Sequence, residues 1–181
     1  MLFRSLVSLA DARAAFPKIP GVLFPPMMNE LELLDFGPAF GPVGGKLGPK
    51  PPRLGAKYTM FVPKPNDDGL DVAGVRPLEI RVPVGTHTGW NVRNAASRAP
   101  NLCALDGAYI AFPVTRAARE RAGDPRRSLE ERYANAAGYV KAVQDAAQGL
   151  IKERFLIEED AARAVKAAEA ATLFAPSNAS R

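Results

Sequence analysis

Half of the prolines and glycines in this chain fall between Phe16 and Gly55, and that stretch limits what the rest can build. It passes through Ile19-Pro20-Gly21, Phe24-Pro25-Pro26, Gly37-Pro38, Gly41-Pro42, Gly44-Gly45 and Gly48-Pro49. Each proline removes a backbone donor and fixes φ, so long helices and inner strands are disfavoured here. Yet Val22, Leu23, Phe24, Leu31, Leu33, Leu34, Phe36 and Phe40 lie among them. A free linker has no use for so many side chains of the buried type. The expectation is an extended segment, residues 16–55, wrapped over a body.

The 181 residues are enough for one domain, or one domain and a tail. At 47% hydrophobic the chain is not of disordered composition. No apolar run approaches the roughly 20 residues that span a bilayer, so no membrane span is expected. The first residues are interrupted by Ser5, Ser8 and Asp11, which argues against a secretory signal and leaves a cytoplasmic location by default. The lone Cys103 excludes an internal disulfide and a multi-cysteine zinc site, and is expected to be a small buried residue. The net charge of +5 raises the question of nucleic acid. Lysines and arginines after Arg116 alternate with acids, however, which is a solvated-face pattern, and no nucleic-acid partner is expected.

Residues 1–15 predict a short helix ended by Pro17. Lys57–Val62 has strand composition, Asn66-Asp67-Asp68-Gly69 is a turn signal, and Leu78–Val82 alternates apolar and charged residues. Together they predict a β-hairpin over about 58–83 within a region 56–113, with a further short strand at Tyr109–Phe112. From Thr115 the pattern becomes helical, through 115–173. Thr115 can cap a helix that Gly123 closes, and Ser128-Leu129-Glu130-Glu131 is a capping box. Tyr139, Val140, Val143, Ala147, Leu150 and Ile151 recur at helical spacing. A last helix is expected from Glu158 to Thr172 with an alanine-rich apolar face, and 176–181 as a disordered tail. The fold class is therefore α+β: a Pro/Gly-rich extended N-terminal third, a hairpin, then three or four C-terminal helices.

Chemistry is sparse. Thr86-His87-Thr88-Gly89-Trp90-Asn91-Val92-Arg93 gathers the only His and the only Trp with several hydrogen-bonding groups. His87 is a candidate general base; the competing and favoured reading is a hydrogen-bonded histidine packed beside Trp90. Asp67, Asp68 and Asp71 sit on a turn, where carboxylates are more often solvated. There is no Gly-x-Ser-x-Gly elbow, no phosphate loop and no His/Cys set for a metal. No metal, no cofactor and no complete catalytic set are expected.

The motifs resemble a known family. Val62-Pro63-Lys64-Pro65-Asn66-Asp67-Asp68-Gly69, Ala73-Gly74-Val75-Arg76 and Thr86–Arg93 are similar to segments of the alpha/beta hydrolase domain family, larger bacterial proteins related to serine esterases. The likeness continues through Gly123-Asp124-Pro125-Arg126-Arg127-Ser128-Leu129-Glu130-Glu131-Arg132-Tyr133 and Arg154–Asp160, and covers roughly 16–170. The resemblance implies that the nucleophile, in a GxSQS-like elbow, the acid and a GTxHxD-like histidine all precede this region. None has a counterpart here, and His87 stands where relatives often carry Tyr. The expectation is a C-terminal segment of such a hydrolase, from a truncated gene, a split gene or a misplaced start. Its missing N-terminal catalytic part would be its partner. Thr86, Thr88, Gly89, Trp90, Asn91 and Arg93 are implied to support the pocket. The alternative is a non-catalytic interaction module.

Overall fold

The computed structural model describes residues 5–25, 31–42, 45, 48–93, 102–104 and 106–174. Residues 1–4 and the expected tail at 176–181 lie outside the described residues. The α+β class holds: short antiparallel strand pairs occupy the first two thirds, and helices close the chain.

The helix expected over 1–15 is shorter: Leu6–Ser8 pair as a strand, β1, which leads directly into α1 (Leu9–Ala15). Ser8 caps the helix by accepting from the Asp11 amide at 3.1 Å, satisfying one of the donors that a helix start leaves open. β1 pairs with β4 (Phe61–Pro63). Between them, β2 (Glu32–Asp35) and β3 (Arg53–Lys57) form a separate ribbon, with Glu32 opposite Lys57 and Asp35 opposite Arg53. Every residue of β3 is exposed. So the apolar N-terminal third does not bury all of its side chains: Leu31, Leu34, Leu54, Tyr58 and Phe61 stay more than half exposed.

The expected hairpin over 58–83 is corrected. Its turn is real: the Asn66 side chain accepts from the amides of Asp68 and Leu70, each at 3.0 Å. Its strands are not. β4 pairs with the N-terminal β1, and Leu78–Arg81 is one turn of helix, α2, not a strand. Five alternating residues are too few to outweigh tertiary contacts. Pro77 presets the helical start, and the Arg81 guanidinium reaches Glu153 at 3.1 and 2.5 Å. That bidentate pair pulls α2 onto the end of a distant helix.

After α2 comes a long antiparallel excursion. β5 (Gly85–Thr88) pairs with β8 (Ala108–Ala111), and β6 (Asn91–Val92) with β7 (Leu102–Ala104). Cys103 on β7 is exposed, contrary to expectation. Four helices follow: α3 (Arg116–Ala122), α4 (Leu129–Tyr133), α5 (Ala136–Lys152) and α6 (Glu158–Ala170). Thr115 caps α3 and Gly123 ends it at φ +66°. The Ser128/Glu131 capping box forms in both directions. α5 buries Val143, Ala147 and Leu150, and α6 buries Ala161 and Ala168. Small alanines let these two helices approach closely, and Val143 and Ala168 form a core with Val82. Among the described residues, no helix is long and apolar enough to cross a membrane.

Candidate functional site

The Thr86 hydroxyl lies at the centre of a buried polar junction. Alternation along β5 turns Thr86 inward, with no exposed surface, and His87 outward. Arg126 Nη1 donates to Thr86 Oγ1 at 2.8 Å and to the Ile110 carbonyl at 2.9 Å. Its Nη2 donates to the Ala111 carbonyl at 3.2 Å and to Asp124 Oδ2 at 2.7 Å, while Nε reaches Asp124 Oδ1 at 3.0 Å. The guanidinium fork is thus filled by one carboxylate, one hydroxyl and two carbonyls, which only arginine's planar geometry allows. The Thr86 hydroxyl in turn donates to the Asp68 carbonyl.

Asp68 continues the network. Its carboxylate accepts from both terminal nitrogens of Arg132, so it is not the solvated turn carboxylate that the sequence suggests. The Arg126 and Arg132 guanidinium carbons lie 5.1 and 4.2 Å from the centroid of the buried Phe112 ring. Gly69 makes the packing possible. Its φ is +74°, and a β-carbon there would stand 2.9 Å from the Phe16 ring and 3.1 Å from Thr86 Cγ2. The Asn66–Leu70 turn, β5, β8 and the segment around α4 are therefore tied at one point. Among the described residues, no buried side-chain nitrogen or oxygen lacks a partner.

Electrostatics follow the contacts. Burial pushes the Asp124 carboxyl up, but hydrogen bonds and charge from Arg126 outweigh it and the net shift is downward. The backbone and hydroxyl of Ser128, with Arg119 beside them, hold Glu131 down from its ordinary 4.5 to about 2. A carboxyl depressed in the folded state stabilises the fold above its unfolded pKa, and the contribution is lost as pH falls through the folded value. Thermal melts should therefore show stability dropping between about pH 4.5 and pH 2. Ser128→Ala should flatten that drop; an equally steep acid limb in the variant would contradict the assignment.

A second feature lies beside the junction. Phe16, Phe24 and Trp90 pack with ring centroids 5.4–5.5 Å apart and, with Asp71, His87 and Thr88, line a cleft of about 210 Å³. Thr88 Oγ1 donates to the Trp90 carbonyl at 2.5 Å and accepts from the Ala108 amide at 3.1 Å, which sets the bend through Gly89. His87 does not pack on Trp90 as anticipated; its ring rests on its cross-strand neighbour Tyr109, 5.0 Å away. It makes no hydrogen bond among the described residues. Asn91 lies half-buried on β6, and Arg93 is exposed.

The sequence assigns a supporting role to Thr86, Thr88, Gly89, Trp90, Asn91 and Arg93. Of these, Thr86 joins the buried junction, and Thr88, Gly89 and Trp90 line the cleft. It assigns no role to Asp68, Phe112, Asp124, Arg126 or Arg132. Asp124, Arg126 and Arg132 carry a signal in the Gly-Asp-Pro-Arg and Glu-Glu-Arg-Tyr motifs. Nothing local said which guanidinium would be buried.

Residues 25–166 match the family described as alpha/beta hydrolase domain. The chain belongs to that family. The match takes in the Asp68 turn, the Thr86–Arg93 motif and the Asp124–Tyr133 motif, so the residues that meet at the junction all lie within the family segment. The ends of the resembling stretch, residues 16–24 and 167–170, fall outside it. No curated protein and no solved structure matches the chain.

Proposed function

We propose that these residues form the C-terminal, pocket-supporting segment of a serine-esterase-like alpha/beta hydrolase, without hydrolytic activity of their own. The observation that carries the reading is how the family motifs are used. Thr86, Asp68, Asp124, Arg126 and Arg132 direct their polar groups at one another, and Ser128 directs its own at Glu131. A nucleophile must instead meet a base at hydrogen-bond distance. Among the described residues, no serine or cysteine does so with His87, and Ser128 is committed to its helix cap.

In this reading the junction braces β5 so that Trp90 and its neighbours present a fixed wall to a pocket, while the reacting groups come from sequence outside these residues. The purified 181-residue chain should give no hydrolysis of a chromogenic short-chain ester above the buffer rate, and His87→Ala should leave that result unchanged. Hydrolysis abolished by His87→Ala would overturn the proposal.

A second reading, an interaction module that complements a separately encoded catalytic half, is favoured by the ribbon of β2 and β3. A lone two-stranded ribbon is marginal in water, and this one exposes Leu34 and Leu54. Cooperative folding and a gain of esterase activity on mixing with that half would support it. An in-frame GxSQS-like elbow encoded just before Met1 would count against it and for a single longer protein.

A further inference from the structure

We propose that the cleft walled by Phe16, Phe24 and Trp90 binds a small organic cation, a methylated ammonium head on a short apolar body, with Asp71 as its counter-ion. The inference concerns binding alone and does not depend on the hydrolase reading.

Three observations carry it. First, three aromatic rings line one small space, and aromatic faces attract cations through their quadrupole, most strongly where water is partly excluded. Phe24 already does so in this molecule: the Arg13 guanidinium carbon sits 5.7 Å from its centroid. Second, among the described residues that line the space Asp71 carries the formal charge, while Arg13 rests on the Phe24 wall. Asp71 stands at the rim, and no lysine or arginine among the described residues lines the space. Arg76 lines the adjoining cleft with Asp71, yet the two form no ion pair within 4.0 Å. The packing around Asp71 raises its carboxyl pKa by desolvation, with no cation pulling the other way. A ligand carrying positive charge would supply that partner. Third, the size selects. At about 210 Å³ the space is below the roughly 300–1,000 Å³ of pockets for drug-sized ligands. It suits a compact head group.

Trp90 is the only tryptophan, so its emission reports this cleft without labelling. The experiment titrates the full chain with choline and with its neutral isostere 3,3-dimethylbutan-1-ol, following Trp90 emission and calorimetric heat. The expected result is a saturable response to choline with affinity at least about tenfold tighter than for the alcohol. Asp71→Asn should weaken choline binding and leave the alcohol unchanged, the rings keeping a residual preference for choline. Equal affinity for the two probes, or no saturable choline response, would overturn the proposal. That comparison uses the unsubstituted chain, so it decides the matter even if Asp71→Asn fails to fold.

Discussion

Arg126→Ala is expected to cost about 3–5 kcal/mol of folding stability, read as a loss of midpoint in urea or thermal unfolding. The magnitude comes from what is left behind. Asp124 is only 6% exposed, and truncation strands its negative charge in a site that water cannot enter freely. The hydroxyl of Thr86 and the carbonyls of Ile110 and Ala111 lose their donor at the same time. Small domains hold roughly 5–15 kcal/mol in total, so the loss takes a large share of what holds the fold together. Arg126→Lys should rescue only part, since an ammonium keeps the charge but cannot fill five directional bonds. Replacing both Arg126 and Asp124 by apolar residues should cost less than Arg126→Ala alone, because no buried charge is then left unpaired. A single variant as stable as the unsubstituted chain would refute the junction.

Phe112→Ala should be comparably damaging, about 3–5 kcal/mol, by removing a ring that is 3% exposed. Two effects combine. The lost volume leaves a cavity, and the guanidiniums of Arg126 and Arg132 lose the face they rest on. Phe112→Leu separates them, since it keeps much of the volume but supplies no quadrupole. It should lie between the original chain and Phe112→Ala. Matched midpoints for the two variants would mean that the cation contacts dominate; a fully stable Phe112→Leu would mean that packing alone matters.

The C-terminal third was legible in the sequence because its signals are local. Thr115, Gly123, Ser128 and Glu131 each satisfy backbone groups within a few residues, so the caps form as the motif reads. The spacing of Val143, Ala147 and Leu150 fixes a helix face for the same reason. The Asn66–Gly69 turn is equally local. Residues 78–82 were misread because their alternating pattern is brief, and the contact that decides it, Arg81 with Glu153, spans 72 positions. His87 was placed against Trp90 on nearness in sequence, but strand alternation and the β5–β8 register gave it Tyr109.

By itself, then, the sequence determined the C-terminal helices, the caps of α3 and α4, the turn and the family, all of which rest on interactions a few residues long or on ordered motifs. Only the tertiary structure decided which charged groups leave the solvent. Burying Arg126 requires Asp124, Thr86 and two carbonyls of β8 to converge, and each contact is affordable only once the others are made. That mutual dependence, spread over some 40 residues between Thr86 and Arg126, has no local trace.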